Sequence, residues 1–231
     1  MQKNFLNYQL TFSRVQSAAT QYESVLQKTL KENKLNSPPY QLYIRIFKQE
    51  KIIEIWASDN YHYKLIRTYA FSARSGKPGP KQKEGDLQIP EGFYHLTNFN
   101  PESKFHLSLK INYPNQADTI RNKKEKNPGG DIYIHGGNET VGCIPIGDST
   151  ISELYWLCVK SYALHPVIPV HIFPYKMEEN NLTKFYNIYP AHTDFWNSLK
   201  PIYQYFQSEK ILCEITGCDN FGNYQLVIPG N

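Results

Sequence analysis

The chain has 231 residues, with 25 Lys+Arg against 21 Asp+Glu and a formal net charge of +4. Hydrophobic residues are 40% and charged residues 20%, with 13 Gly and 15 Pro, which excludes collagenous and wholly disordered chains. No apolar run approaches the ~18 residues of a membrane span, and the mild positive charge is too dispersed for a nucleic-acid patch. Folding at this size hides on the order of 70% of the unfolded surface, so one domain with its own core is expected.

The start, Met1-Gln2-Lys3-Asn4-Phe5, lacks the sustained apolar stretch of a signal peptide. Residues 13–35 place Val15, Ala18, Tyr22, Leu26 and Leu30 at helical spacing, with Ser13 as N-cap and Pro38-Pro39 as the stop. That stripe predicts a helix packed on the main body. The period then changes to two. Over 40–47, Leu42, Ile44 and Ile46 alternate with Tyr43, Arg45 and Phe47, the mark of a half-buried strand. With strands at 52–58 and 61–72 this makes a β-meander, and the chain's 18 tyrosines suit strands with one wet face. Residues 73–91 hold no periodicity and read as a long functional loop.

Strands follow at 92–98, 105–112 and 131–134. The polar loop 113–130 carries a charge run, Arg121–Lys126, read as solvated surface. Beyond it lie a helix at about 149–164, with Thr150 and Glu153 as a capping box, and a central buried strand at 167–173. A helix near 193–208, kinked or split by Pro201, and a strand at 224–228 complete the chain. Four Cys cannot form a disulfide scaffold. Cys158 falls in an apolar helix and is expected to be buried, while Cys213 and Cys218 are near enough to pair across a short loop. Cys143, Cys158, His165 and His171 include no close ligand pair, which argues against zinc.

The sharpest chemical signal is His135-Gly-Gly-Asn-Glu-Thr-Val-Gly-Cys143. A thiol near pKa 8.5 is only a few per cent thiolate at neutral pH, so a nucleophilic Cys needs a base beside it. An imidazole takes the proton and then stabilises the thiolate. Eight residues span roughly 26 Å when extended, so the segment must fold back, and Gly136, Gly137 and Gly142 permit that path. Gly142 also leaves its own N–H and that of Cys143 open to a substrate carbonyl, as a backbone oxyanion hole requires.

The stretch IYIHGGNETVGCIPIGD resembles the active-site signature of the L,D-transpeptidase catalytic domain (YkuD-like). GPKQKEGDLQIPEGFYHL, with Pro90-x-Gly92-x-Tyr94, is similar to that family's Pro-x-Gly-x-aromatic strand. FHLSLKINYPNQAD and PVHIFPYKM are similar to its short-loop, murein-peptide branch. The likeness covers roughly residues 38–176, flanked by an N-terminal helix in 1–37 and an extension of the same domain in 177–231. It implies a mainly β fold with peripheral helices, an L,D-transpeptidase-type β-sandwich of mixed sheets.

Position by position, the resemblance makes Cys143 the acyl-accepting nucleophile and His135 the general base. The Gly136 carbonyl orients the imidazole, and Gly142 and Cys143 donate to the oxyanion. Thr140 fills the Ser/Thr place, and Asp86, Asn112, Tyr113 and Asp118 match branch positions that line the substrate groove. Lys81 and Lys83 read as solvated. Val141 stands where most members carry a second His, and Pro145 where Arg or Asn is common. The implied activity needs no cofactor. It acts on peptidoglycan stem peptides, with a murein-linked lipoprotein as a further partner and hydrolysis favoured over cross-linking. Transpeptidation and a catalytically silent peptidoglycan-binding module are the alternatives. The implied location is periplasmic or cell envelope, with the export signal absent from this sequence.

Overall fold

Alternation along the first strand decides how the molecule is layered. In the computed structural model, which describes residues 2–35 and 40–227, β1 (Gln41–Phe47) is buried at every position after the first. Leu42, Ile44 and Ile46 face a core built with the N-terminal helices and the mid-chain helix. Tyr43, Arg45 and Phe47 face the aromatic residues of the C-terminal helices. The expectation of one wet face is therefore corrected: residues far along the chain cover it, so both faces of the strand lie inside.

The remaining elements, in chain order, build around that strand. Helices α1 (Gln2–Gln9) and α2 (Ser13–Glu32) come first, then β2 (Ile52–Ser58), β3 (Lys64–Ala70), β4 (Gly92–Asn100) and β5 (Ser108–Ile111). Next are α3 (Gln116–Arg121), β6 (Tyr133–His135), β7 (Ile144–Pro145), α4 (Asp148–Tyr162) and β8 (Pro169–Phe173). The chain closes with α5 (Glu179–Ile188), α6 (Thr193–Glu209), β9 (Glu214–Cys218) and β10 (Tyr224–Val227).

Eight strands form a mixed sheet in the order β3-β2-β1-β8-β4-β5-β6-β7, and β9 and β10 form a separate ribbon. Strand β8 lies parallel to β1 and antiparallel to β4, the central buried position expected for 167–173. Strand β6 pairs antiparallel with β5 and parallel with β7. This mainly β architecture with helices outside agrees with the expected fold class.

Local expectations fare unevenly. Phe12, not Ser13, occupies the N-cap of α2, and the Pro38-Pro39 stop lies outside the described residues. Helix α4 starts after Gly147 with no side-chain cap, because Glu153 pairs with Arg67 on β3 instead of closing a box. The supposed loop 113–130 contains α3, whose capping box is Asn115 and Asp118. Arg121 is not solvated: it pairs with Asp118 and lies 3.9 Å from the Phe195 ring centroid. Pro201 sits within a continuous α6. Cys158 is buried as expected, and all four cysteines are free, so Cys213 and Cys218 do not pair.

The long loop 73–91 is tied down at its base by a buried ion pair. Lys48, just past β1, donates to Glu91 Oε1 at 2.9 Å and to the Gly79 and Ile89 carbonyls at 2.7 Å. Glu91 accepts in turn from Gly79 N–H and from Trp196 Nε1 on α6. Removing one partner of such a pair leaves a buried charge unmatched, at roughly 3–5 kcal/mol. The Lys48→Met variant is therefore expected to lose on the order of 10 °C in Tm for a chain of this size. A calorimetric Tm within a degree or two of the parent contradicts that account.

Candidate active site

His135 is the last residue of β6, and the pairing Ile134↔Ile144 and His135↔Pro145 brings β7 alongside it. The chain from His135 to Cys143 thus folds back on itself, and the two side chains line one cavity of about 220 Å³. Asn100, Ser103, Lys104, Phe105, Ser108 and Tyr133 complete its wall. His135 is buried and Cys143 half-buried.

The imidazole is held from two sides. Its Nδ1 lies 2.6 Å from the Gly136 carbonyl oxygen. A carbonyl can only accept, so Nδ1 carries the proton and donates, leaving Nε2 as the basic nitrogen. Across the ring plane, Phe105 lies with its centroid 4.6 Å away at a 35° tilt. Gly136 donates its own N–H to the Phe105 and Leu107 carbonyls. A Cβ at that position would meet Asp148 Oδ1 and, at 2.6 Å, the Phe105 carbonyl. Only glycine fits.

The turn after it is pinned by α4 and by the loop following β3. Gly137 N–H donates to Asp148 Oδ1 at 2.7 Å, and Ser72 Oγ donates to the Gly137 carbonyl at 2.6 Å. Thr140 Oγ1 donates to the Cys143 carbonyl at 2.7 Å. Its hydroxyl thus closes the turn that carries Cys143. Gly142 adopts φ +106, where an added Cβ would meet the Gln88 carbonyl at 2.8 Å, so conformation and space both call for glycine. Its N–H is not open: Ser75 Oγ accepts it at 2.8 Å. No hydrogen bond within the described residues takes up the Cys143 N–H.

The other expected groove residues turn their polar atoms inward. Asp86 accepts from Lys81 Nζ and from the backbone N–H groups of Gln82, Lys83 and Gln88. These bonds outweigh burial and hold its carboxyl below the usual range. Lys81 is buried in that pair rather than solvated, whereas Lys83 is exposed. Asn112 Oδ1 accepts from His95 N–H, Tyr113 donates to the Pro128 carbonyl, and Asp118 accepts from Tyr94 and Arg121. None of these residues lines the cavity that holds His135 and Cys143. Lys104 and Ser75 escape a motif reading, whereas Phe105 opens the branch-like stretch FHLSLKIN and Asp148 closes IYIHGGNETVGCIPIGD, both without an assigned role.

Comparison with known proteins bears on the family of the chain. The chain matches the L,D-transpeptidase catalytic domain (YkuD) over residues 41–172. YafK of Escherichia coli K12, a candidate L,D-transpeptidase, is 30% identical over 186 residues, spanning 79% of this chain and 72% of that protein. Its counterpart in strain O157:H7 gives the same figures. This chain belongs to the L,D-transpeptidase family. Among solved structures, the helical cell shape determining protein Pgp2 of Campylobacter jejuni is 17% identical. It has a TM-score of 0.49, over 78% of this chain and 73% of that one.

Electrostatics make the resting pair neutral. Burial pushes the Cys143 thiol above its ordinary value, opposed by a backbone hydrogen bond from Tyr133. Its Sγ donates to the Asp131 carbonyl at 3.5 Å. Burial lowers His135 below 6.5, opposed by the Gly136 carbonyl. A raised thiol and a lowered imidazole both disfavour the charged pair. Iodoacetamide alkylation of Cys143, read by peptide mass, is therefore expected to climb with pH through and beyond 9. A plateau near neutrality reveals a standing thiolate–imidazolium pair and contradicts this picture.

Proposed function

We propose that this family member is a cysteine enzyme acting on peptidoglycan stem peptides through an acyl-enzyme on Cys143. The observation that carries the reading is the shared cavity, lined by a thiol and by an imidazole whose Nδ1 is fixed on Gly136. Substrate binding brings an amide carbonyl to Cys143. The thiol proton passes to His135 Nε2 as Sγ bonds to the carbonyl carbon, and the oxygen takes the negative charge. The Cys143 N–H stabilises that oxyanion. Gly142 N–H joins it once the substrate oxygen displaces Ser75 Oγ.

Collapse of the tetrahedral species breaks the C–N bond, and the leaving amine receives its proton from the imidazolium. The thioester is then resolved by water or by an incoming amine, with His135 removing the proton of either. Val141 favours water. It is 66% exposed beside the nucleophile and, being apolar, supplies no hydrogen-bonding group to hold an acceptor amine. In this reading residues 38–176 hold the chemistry, and 1–37 and 177–231 support it as parts of the same domain. A murein substrate implies a cell-envelope or periplasmic location, and a murein-linked lipoprotein is among the groups the enzyme could release.

The deciding experiment is mass spectrometry of muropeptides and lipoprotein-bearing sacculi after incubation with the protein, beside a Cys143→Ala control. Loss of a terminal D-residue or of the lipoprotein adduct is expected, and only with an intact thiol. New cross-linked or amine-exchanged products replace hydrolysis by transpeptidation. No change in either sample overturns the catalytic reading in favour of a binding module. Ser75→Ala tests the oxyanion hole separately. Freeing the Gly142 N–H of a competing acceptor is expected to raise kcat/KM by up to about five-fold, the worth of one ordinary hydrogen bond. A large fall instead makes the Ser75 hydroxyl itself a donor to the oxyanion.

A further inference from the structure

Helix α2 lies outside the segment matched to the family, yet it braces a turn that lines the cavity. Arg14 Nη1 donates to the Ser103 carbonyl at 2.8 Å and to the His106 carbonyl at 2.7 Å. Those two carbonyls bracket Lys104 and Phe105, which line the cavity beside His135 and Cys143. Phe105 touches the base twice over. Its ring lies on the imidazole, and its carbonyl takes the N–H of Gly136, the residue whose own carbonyl orients His135.

The turn needs such a clamp. His106 sits at φ +70, a left-handed conformation that a non-glycine residue keeps only when its surroundings over-determine it. Two groups do so: Arg14 on its carbonyl, and Ser152 of α4, whose hydroxyl lies 2.7 Å from its ring Nε2. Charge-assisted bonds to carbonyls are about twice as strong as neutral ones, so Arg14 is the stronger of the two.

We propose that Arg14 is a positioning residue for His135: it fixes the 103–106 turn, and through Phe105 that turn orients the imidazole and shields it from water. The inference rests on the reading of His135 as the base, but its test needs no substrate. The titratable groups around the imidazole are Lys104 on the turn, Tyr133 on β6, and Cys143 ahead of β7. Asp148 of α4 acts through Gly137, and His106 faces away to Ser152. Burial is the main cause of the lowered His135 value, so loosening Phe105 admits water and lets the ring protonate more readily.

The measurement is the pH titration of the His135 ring resonance by NMR, assigned by its loss in His135→Gln. Arg14→Met is expected to raise the protonation constant by about three-fold, half of one pKa unit. Phe105→Leu gives the same direction, and the double variant gives no further change. Arg14→Lys restores part of the effect and is the variant to read if Arg14→Met does not fold. Lys104→Met in the Arg14→Met background must leave the shift in place, since a displaced Lys104 charge is the competing cause. Glu23→Gln weakens the α2–α4 contact to Trp156 and Lys160 without touching the turn; it is expected to lower Tm and leave His135 unmoved.

An unchanged titration in Arg14→Met, or an equal shift in Glu23→Gln, overturns the proposal. If the parent protein leaves murein untouched while the titration shifts as described, the substrate reading fails and the positioning role stands. Where activity is found, kcat is expected to fall more than KM rises in Arg14→Met.

Discussion

The buried Lys48–Glu91 pair is the constraint on which the geometry of the nucleophile depends. An ammonium has three protons, and here Gly79 O, Ile89 O and Glu91 Oε1 each take one. No charge is left unmatched, which is the condition under which a buried pair is tolerated. The three acceptors span the base of the 73–91 loop, and Trp196 extends the network to α6. From that base the loop projects Ser75 and the Gln88 carbonyl against Gly142. A contact more than fifty residues from Cys143 in sequence thus sets the shape of the turn that presents it.

His135 has further supports of its own. His135 comes from a strand whose register is fixed by β5 and β7, and its turn is tied to the start of α4 through Asp148. The loop after β3 holds both ends of the segment, through Ser72 on Gly137 and Ser75 on Gly142, while the α4 start and the 103–106 turn add support on the His135 side. Both side chains face one cavity.

What is legible in the sequence is local. The His135–Cys143 segment carries its glycines within it, so its own residues imply the fold-back, and the period-two run of β1 and the buried strand β8 follow from their own side chains. What is not legible depends on residues far away. Tyr43, Arg45 and Phe47 look like a wet face until α6 is laid over them. Asn112 and Tyr113 are polar loop residues whose partners, His95 and Pro128, lie across separate turns. The Gly142 N–H looks open because Ser75 is 67 residues away. Helix α3 hides inside a polar loop because six residues are too few for a periodic pattern, though Asn115 and Asp118 spell its cap.

The neutrality of the resting pair gives these supports a chemical purpose. A thiolate standing permanently beside an imidazolium is open to oxidation and to any passing electrophile. Burial of both groups removes that exposure, since each charged form pays the desolvation cost. In the proposed mechanism the proton then moves only when a carbonyl is present to receive the sulfur's electrons and an N–H is present to receive the oxygen's charge. Under the proposed mechanism, desolvation of both groups is part of substrate selection. A peptide that fills the space between Phe105 and Cys143 creates the conditions for attack, and water alone does not.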